Sequence, residues 1–168
     1  KCPPNLTAGY KLALDVQNVS FDTGGVLAAQ SIIICAEHAQ LEGGLVTAKA
    51  LGHASGDGQG AGCSRNPQLG DDASAVPAGA GSGAGHGGVG GDSLVVRNVS
   101  SCGGGGPYGV DSAPASLGSG GGGEGGGNGG GIIHMQARSH LSFGKSGALD
   151  ASGGDARVDI TPQVDSAG

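Results

Sequence analysis

The residues that could do chemistry in this chain are its 14 acidic residues and five histidines, which are scattered along 168 positions. Asp71-Asp72 is an adjacent acidic pair, but neighbouring residues of an extended chain point to opposite faces, which suits acid–base catalysis poorly. The histidines form no His-Glu-x-x-His motif and have no Cys-x-x-Cys companion, so a zinc site is not indicated. The sequence therefore predicts no catalytic residue, no metal and no cofactor.

Three glycine-containing motifs imitate ligand-binding signatures. Residues 83–88 satisfy the dinucleotide fingerprint GxGxxG, but more glycine follows them instead of a helix. Residues 144–146 copy the end of a P-loop, whose first glycine would fall at Ser139. Residues 87–95 match the nonapeptide of calcium-binding β-rolls once, whereas that motif needs tandem turns to complete each ion site. None of the three motifs predicts a ligand.

Residues that direct modification form a clearer pattern. Three of the five asparagines, Asn5, Asn18 and Asn98, stand in the glycosylation pattern Asn-x-Ser/Thr. At this serine and threonine content, about 0.6 such patterns would be expected by chance. The sequence therefore predicts N-linked glycans on these asparagines.

Four cysteines form a second such set: Cys2, Cys35, Cys63 and Cys102. Four buried reduced thiols are the alternative reading, but the even number and the weak core favour disulfides. We expect Cys2–Cys35 and Cys63–Cys102, one of the three connectivities that four cysteines allow. The second would close the loop 64–101. Cysteines and glycosylation patterns together predict a eukaryotic secretory route and an extracellular or cell-surface location.

The composition limits the kind of core and the kind of partner. Glycine supplies 40 residues, while tyrosine and phenylalanine supply two each and tryptophan none, so a large core of bulky side chains is excluded. A net charge of −6, with only eight scattered Lys and Arg, predicts no nucleic-acid partner. No apolar run approaches the ~18 residues that span a bilayer, so no membrane insertion is expected.

Apolar alternation and glycine breaks predict strands. Residues 12–21 place apolar side chains on one face, with a phase slip midway, and residues 31–36 are a β-branched run. Glycine pairs at 24–25 and 43–44 each precede a short apolar strand. Residues 131–154 repeat the pattern a third time. Each copy reads as a strand, a polar corner, a shorter strand, a glycine turn and another strand, which is typical of a solenoid coil.

These patterns divide the chain into three parts. Residues 1–78 are predicted to form solenoid coils, residues 79–131 a glycine-rich insert, and residues 132–168 a further coil ending in a strand near 158–162. A structureless loop as long as the insert would be unusual in a compact domain, so we expect it to be ordered, packed on the solenoid or looping from it. The predicted fold class is mainly β: a parallel β-helix or solenoid with a glycine-rich insert, stapled by disulfides.

Three motifs follow one another in the glycine-rich part. Residues 81–91 read Gly-Ser-Gly-Ala-Gly-His-Gly-Gly-Val-Gly-Gly, residues 106–109 read Gly-Pro-Tyr-Gly, and residues 118–131 begin Gly-Ser-Gly-Gly and continue as near-polyglycine. This order resembles glycine-rich modules of very large secreted or cell-surface eukaryotic proteins, plant glycine-rich proteins among them. The resemblance covers about residues 79–154 and departs at Val89, where many relatives would have a basic residue. It implies parallel β-helices without catalytic activity.

The sequence thus favours a structural function over an enzymatic one. We expect an extracellular structural glycoprotein module of a surface or filamentous assembly, whose partners are other chains or modules of that assembly, copies of itself included. The predicted stack of coils has open ends that another chain could cover. The alternative is a carbohydrate-active or calcium-dependent binding domain on the same β-helix scaffold. The scarcity of aromatic residues argues against a sugar-binding platform.

Overall fold

The computed structural model describes the residues 11–63, 81–86, 88–92, 103–109, 115–123 and 125–156. Within them lie six strands and no helix: β1 (Lys11–Phe21), β2 (Val26–Ala28), β3 (Ser31–Leu41), β4 (Leu45–Thr47), β5 (Ile132–Phe143) and β6 (Ala148–Asp150). The prediction of a mainly β chain is confirmed. The strand expected near residues 158–162 lies outside the described residues.

The strands form two parallel three-stranded sheets. The long strands pair in the order β1-β3-β5, and the short ones pair in the order β2-β4-β6. Leu12 is opposite Ile32, which in turn is opposite Ile133, and Leu27, Val46 and Leu149 are aligned in the same way in the second sheet. The three copies of the sequence pattern therefore lie side by side, each giving one strand to each sheet.

The apolar core runs through the middle of this stack. Ile32, Ile34, Leu41 and Val46 of the central strands are fully buried, and partly buried side chains of the outer strands pack against them. The opposite face of β3 is covered as well, because its Ile33 packs in a cluster with Leu117 of the glycine-rich part. A parallel strand buried on both faces accounts for the uninterrupted β-branched run.

The polar corner expected within each long strand is not formed, and this part of the prediction is wrong. β3 and β5 continue through it as single strands, and their pairing shifts register between Ala36 and His38. One extra residue in β5 is thereby absorbed as a bulge, which bends a strand without ending its ladder. The phase slip seen in residues 12–21 has a counterpart in β3, where the inward positions change from Ile32 and Ile34 to Ala39 and Leu41.

The described glycine-rich segments are joined by main-chain hydrogen bonds with a spacing of three residues. Gly118 and Gly121 donate to the carbonyls of Gly130 and Gly127, at 2.8 and 2.9 Å. With the same spacing, the N–H groups of His53 and Gly56 donate to the carbonyls of Gly118 and Gly121. Those of Gly105 and Tyr108 donate to the carbonyls of Gly83 and His86. Those of Ser82 and Gly85 donate to the carbonyls of Cys63 and Gly60. A three-residue repeat without internal hydrogen bonds is that of the polyproline II helix. The segments joined in this way, within 52–63, 81–86, 88–92, 103–109, 117–123 and 125–131, are here called the glycine bundle.

Backbone contact explains why so many positions of the glycine bundle are glycine. A Cβ atom on Gly129 would overlap the carbonyl of Gly118, and one on Gly104 would overlap the carbonyl of Gly90. Neither Gly129 nor Gly104 has φ in the left-handed region, so close approach of the chains, and not an unusual backbone conformation, requires glycine there.

We expect Gly129→Ala to lower the free energy of unfolding by about 1–3 kcal/mol or more, because the new methyl group has no space to enter. Gly106→Ala is the matched control. A Cβ at Gly106 would meet no atom within 4 Å, and φ there is not left-handed, so this variant should stay within about 1 kcal/mol of wild type. Chemical denaturation measures both, and equal effects of the two substitutions would contradict backbone packing in the glycine bundle.

The carboxylate of Asp150, the last residue of β6, has a lowered pKa. The hydroxyl of Ser152 donates to Asp150 Oδ1 at 2.7 Å and its backbone N–H donates at 3.0 Å. These two hydrogen bonds, with a smaller contribution from the charge of Lys49, lower the pKa of Asp150. A lowered pKa means that the folded state favours the charged form.

Asp150 should therefore stabilise the fold above the ordinary aspartate pKa of about 3.9 and lose this contribution as the pH falls through the lower folded-state pKa. We expect Asp150→Asn to lower the melting temperature slightly at neutral pH, and the difference from wild type to vanish in acid. Melting curves between neutral and strongly acidic pH measure this, with the exposed Asp155→Asn as control. A difference that persists in acid would mean that the charge of Asp150 is not the cause.

Candidate functional site

The acidic residues and histidines form no metal site in the described part of the chain. Within those residues, no three His, Cys, Asp or Glu side chains come together as metal ligands. Asp71-Asp72 lies outside them. No helix among the described residues is long and apolar enough to cross a bilayer. The candidate site must therefore be sought among the side chains of the glycine-rich motifs.

A chain of hydrogen bonds centres on Tyr108 of the Gly-Pro-Tyr-Gly motif. Its hydroxyl donates to the carbonyl of Leu117 at 2.5 Å and accepts from the hydroxyl of Ser119 at 2.9 Å. Ser119, which is buried, accepts in turn from the backbone N–H of Gly60 at 2.9 Å. Three separate segments of the chain are thus tied together by two hydroxyl groups.

Ser82, the serine of the first motif, makes an equivalent connection. It is buried, accepts from the backbone N–H of Cys63 at 2.8 Å, and donates to the carbonyl of Gly103 at 2.7 Å. Ser55 Oγ lies 2.9 Å from the carbonyl of Gly121 and 2.8 Å from that of Gly123, so its single hydroxyl proton is shared between two carbonyls of the third motif. In a bundle where backbones touch, small hydroxyl side chains can occupy the few gaps and bond to main-chain groups there.

An aromatic contact joins the first and second motifs. The imidazole of His86 meets the ring of Tyr108 edge to face, with centroids 4.5 Å apart and an interplanar angle of 87°. This arrangement is favourable for aromatic pairs. His86 is exposed and Tyr108 is half-buried, so the contact lies at the surface of the glycine bundle. The side chains that distinguish the three motifs therefore hold separate segments of the chain together.

A second, polar candidate lies on the sheet of long strands. Asp15, Asn18, Glu37, His38 and Arg138 line a surface groove of about 560 Å³. Arg138 Nη2 is 3.2 Å from Asp15 Oδ1, although 123 residues separate them in sequence. Both side chains are largely exposed, at 43% and 60%, and exposed ion pairs of this kind contribute about 0–1 kcal/mol. The ion pair was not predicted, because strand register alone brings the two residues together.

The predicted glycosylation sites fall partly within the described residues. Asn18 lies on β1 and is exposed, in the same groove. Asn5 and Asn98 lie outside the described residues. Exposure is required of an acceptor asparagine, and Asn18 meets this requirement.

The predicted disulfide cysteines are likewise divided. Cys35 is buried on β3 and Cys63 is exposed, and neither is a free thiol. Cys2 and Cys102 lie outside the described residues. The pairings Cys2–Cys35 and Cys63–Cys102 therefore stay a prediction.

Comparisons with known proteins found no match for this chain among family models, curated proteins or solved structures.

Tyr108→Phe should lower the free energy of unfolding by about 1–3 kcal/mol, because the Leu117 carbonyl and the Ser119 hydroxyl both lose a partner. Ser146→Ala, which removes a hydroxyl from an exposed turn residue, is the control and should have little effect. In a double-mutant cycle with Ser119→Ala, we expect a coupling energy of about 0.5–3 kcal/mol. Strictly additive effects would show that the two hydroxyls do not act through each other.

Proposed function

We propose that this chain is an extracellular structural glycoprotein module that forms part of a surface or filamentous assembly. The observation that carries the proposal is the glycine bundle, in which main-chain hydrogen bonds and the hydroxyls of Ser82, Tyr108 and Ser119 connect distant segments. The side chains of these motifs make hydrogen bonds within the chain, as expected of a structural scaffold.

The proposal includes a solenoid arrangement for the two sheets. Support comes from the turns between long and short strands, which are hydrogen-bonded from layer to layer. The N–H of Glu42 donates to the carbonyl of Phe21 at 3.0 Å, the N–H of Leu45 to that of Gly25 at 2.8 Å, and the N–H of Ala148 to that of Gly44 at 3.0 Å. Turns that stack in this way link corresponding strands of both sheets into successive coils.

Disulfides and glycans complete the proposed module. Cys2–Cys35 and Cys63–Cys102 would each stabilise it by about 3–4 kcal/mol in the chain-entropy model, the second by closing the 64–101 loop. Glycans on Asn5, Asn18 and Asn98 would keep the outer surface soluble. The alternative function, a carbohydrate-active or calcium-dependent binding domain, has weaker support, because no three His, Cys, Asp or Glu side chains of the described residues could hold a metal ion and the sequence has no tryptophan.

Expression in a eukaryotic secretory host tests the compartment. We expect the secreted chain to carry N-glycans, and Asn18→Gln to reduce its mass by one glycan, because Asn18 is exposed and stands in Asn-Val-Ser. Asn128→Gln is the control: Asn128 is also exposed but is followed by two glycines, so it lies in no acceptor pattern. Intact-mass analysis with and without glycosidase treatment provides the measurement.

Absence of any glycan on the secreted wild type would remove the main support for the secretory route. The structural function has a separate readout, which is the fraction of the secreted chain found in insoluble extracellular material of the cells that naturally make it. We expect most of the chain there. A fully soluble chain in the medium would contradict the proposal.

A further inference from the structure

Among the described residues, the apolar core of the sheets extends as far as the outer strands at both ends of the stack. Five columns of apolar side chains cross the three layers: Leu12–Ile32–Ile133, Leu14–Ile34–Met135, Val19–Ala39–Leu141, Phe21–Leu41–Phe143 and Leu27–Val46–Leu149. The middle member of each column is buried. No described strand lies beyond the outer ones.

The outer members at the β5/β6 end are the most exposed. Leu141 is 42% exposed, Phe143 49% and Leu149 41%. At the β1/β2 end, the column members Leu14, Val19, Phe21 and Leu27 are partly buried. Among the described residues, no strand pairs with the outer edge of β1, β2, β5 or β6, and an unpaired strand edge is a template for strand addition.

We propose that the β5/β6 end of one copy docks on the β1/β2 end of a second copy, so that both sheets continue from one copy into the next. This inference rests on the proposed structural function and names its self-association surface. The strands are parallel within each sheet, so a second copy placed head to tail adds β1 to β5 in the direction in which β5 follows β3. Leu12, Leu14 and Phe21 of the second copy then cover Ile133, Met135 and Phe143.

Opposite charges at the two ends favour the same partner. Thr23 and Ser146 both lie against Gly43, so the turns of the three layers occupy one corner of the stack. Head-to-tail docking there brings Lys145 of one copy beside Asp22 of the next. On the strands, Arg138 already reaches Asp15 of its own copy at 3.2 Å, and docking places Asp15 of the second copy on its other side. Docking of two β1/β2 ends, or of two β5/β6 ends, would instead bring like charges together.

The predicted glycan on Asn18 is compatible with this contact. The inward positions near it on β1 are Val19 and Phe21, which pack on the core, and Asn18 is exposed on the opposite face. Side chains of successive strand residues alternate between faces. A glycan on Asn18 therefore projects away from the core, and the strand edge stays accessible to a second copy.

The first experiment removes the apolar contact. Leu149→Asp places a charge in the docked surface and should weaken self-association of the full glycosylated chain at least about tenfold in sedimentation velocity. Val89→Asp is the matched control, since Val89 is 71% exposed in the glycine-rich part, and it should associate like wild type. Melting curves verify that both variants are folded.

The second experiment uses exposed charges, so it does not depend on the stability of the core. Asp22→Lys and Lys145→Glu should each weaken association by a factor of about three, more in low salt than in high salt. A mixture of the two variants should regain association at low salt, because Lys at position 22 of one copy then faces Glu at position 145 of the other. Recovery in the mixture is specific to a contact between position 22 of one copy and position 145 of another.

A wild-type chain that is monomeric at tens of micromolar would overturn the inference, and the ends would then be covered by the chain's own terminal segments or by a different protein. Association that survives both Leu149→Asp and the charge reversals would overturn it as well, and would assign self-association to another surface. Neither result tests the proposed structural function, which is measured separately by the fraction of the glycosylated chain in insoluble extracellular material.

Discussion

Backbone-to-backbone contact between glycine segments is the constraint on which the rest of this structure depends. At Gly129 and Gly104, among others, the neighbouring carbonyl occupies the space that a Cβ would need. Because the segments have no side chains to pack, their stability comes from main-chain hydrogen bonds in several directions, which a threefold helix permits and a sheet strand does not. Glycine loses more conformational entropy on folding than any other residue, so the glycine bundle requires many such bonds to be stable.

The few side chains within the glycine bundle are correspondingly specific. Ser82 and Ser119 are buried, and each accepts from one backbone N–H and donates to another oxygen. Tyr108 extends this network to Leu117, whose side chain covers the outer face of β3 next to Ile33. One short path of contacts thus couples the glycine bundle to the core of the sheets, and neither part is an independent domain in its packing. Satisfied buried networks of this kind specify one arrangement of the chain.

The sheets and the glycine bundle both stack extended segments side by side, but they bury different chemical groups. In the sheets, stacked layers bury aliphatic side chains, and the central strand β3 is covered on both faces. In the glycine bundle, stacked segments bury peptide groups. Both are extendable arrangements in which each layer contacts mainly its neighbours, as in repeat proteins generally. Such an architecture suits a module whose surfaces continue into other modules, and it needs few aromatic residues.

The amino-acid sequence by itself determined the mainly β class and the three repeated strand pairs, because apolar alternation and glycine breaks are local signals. It did not reveal that the long strands run unbroken through a bulge, since a polar stretch such as that at His38 is equally typical of a corner. The glycine-rich stretch could be expected to be ordered, but its bonding partners, the Tyr108–Ser119 network and the Arg138–Asp15 pair were decided by the tertiary structure. Glycine carries no side-chain pattern, so only the three-dimensional approach of one backbone to another selects which segments meet.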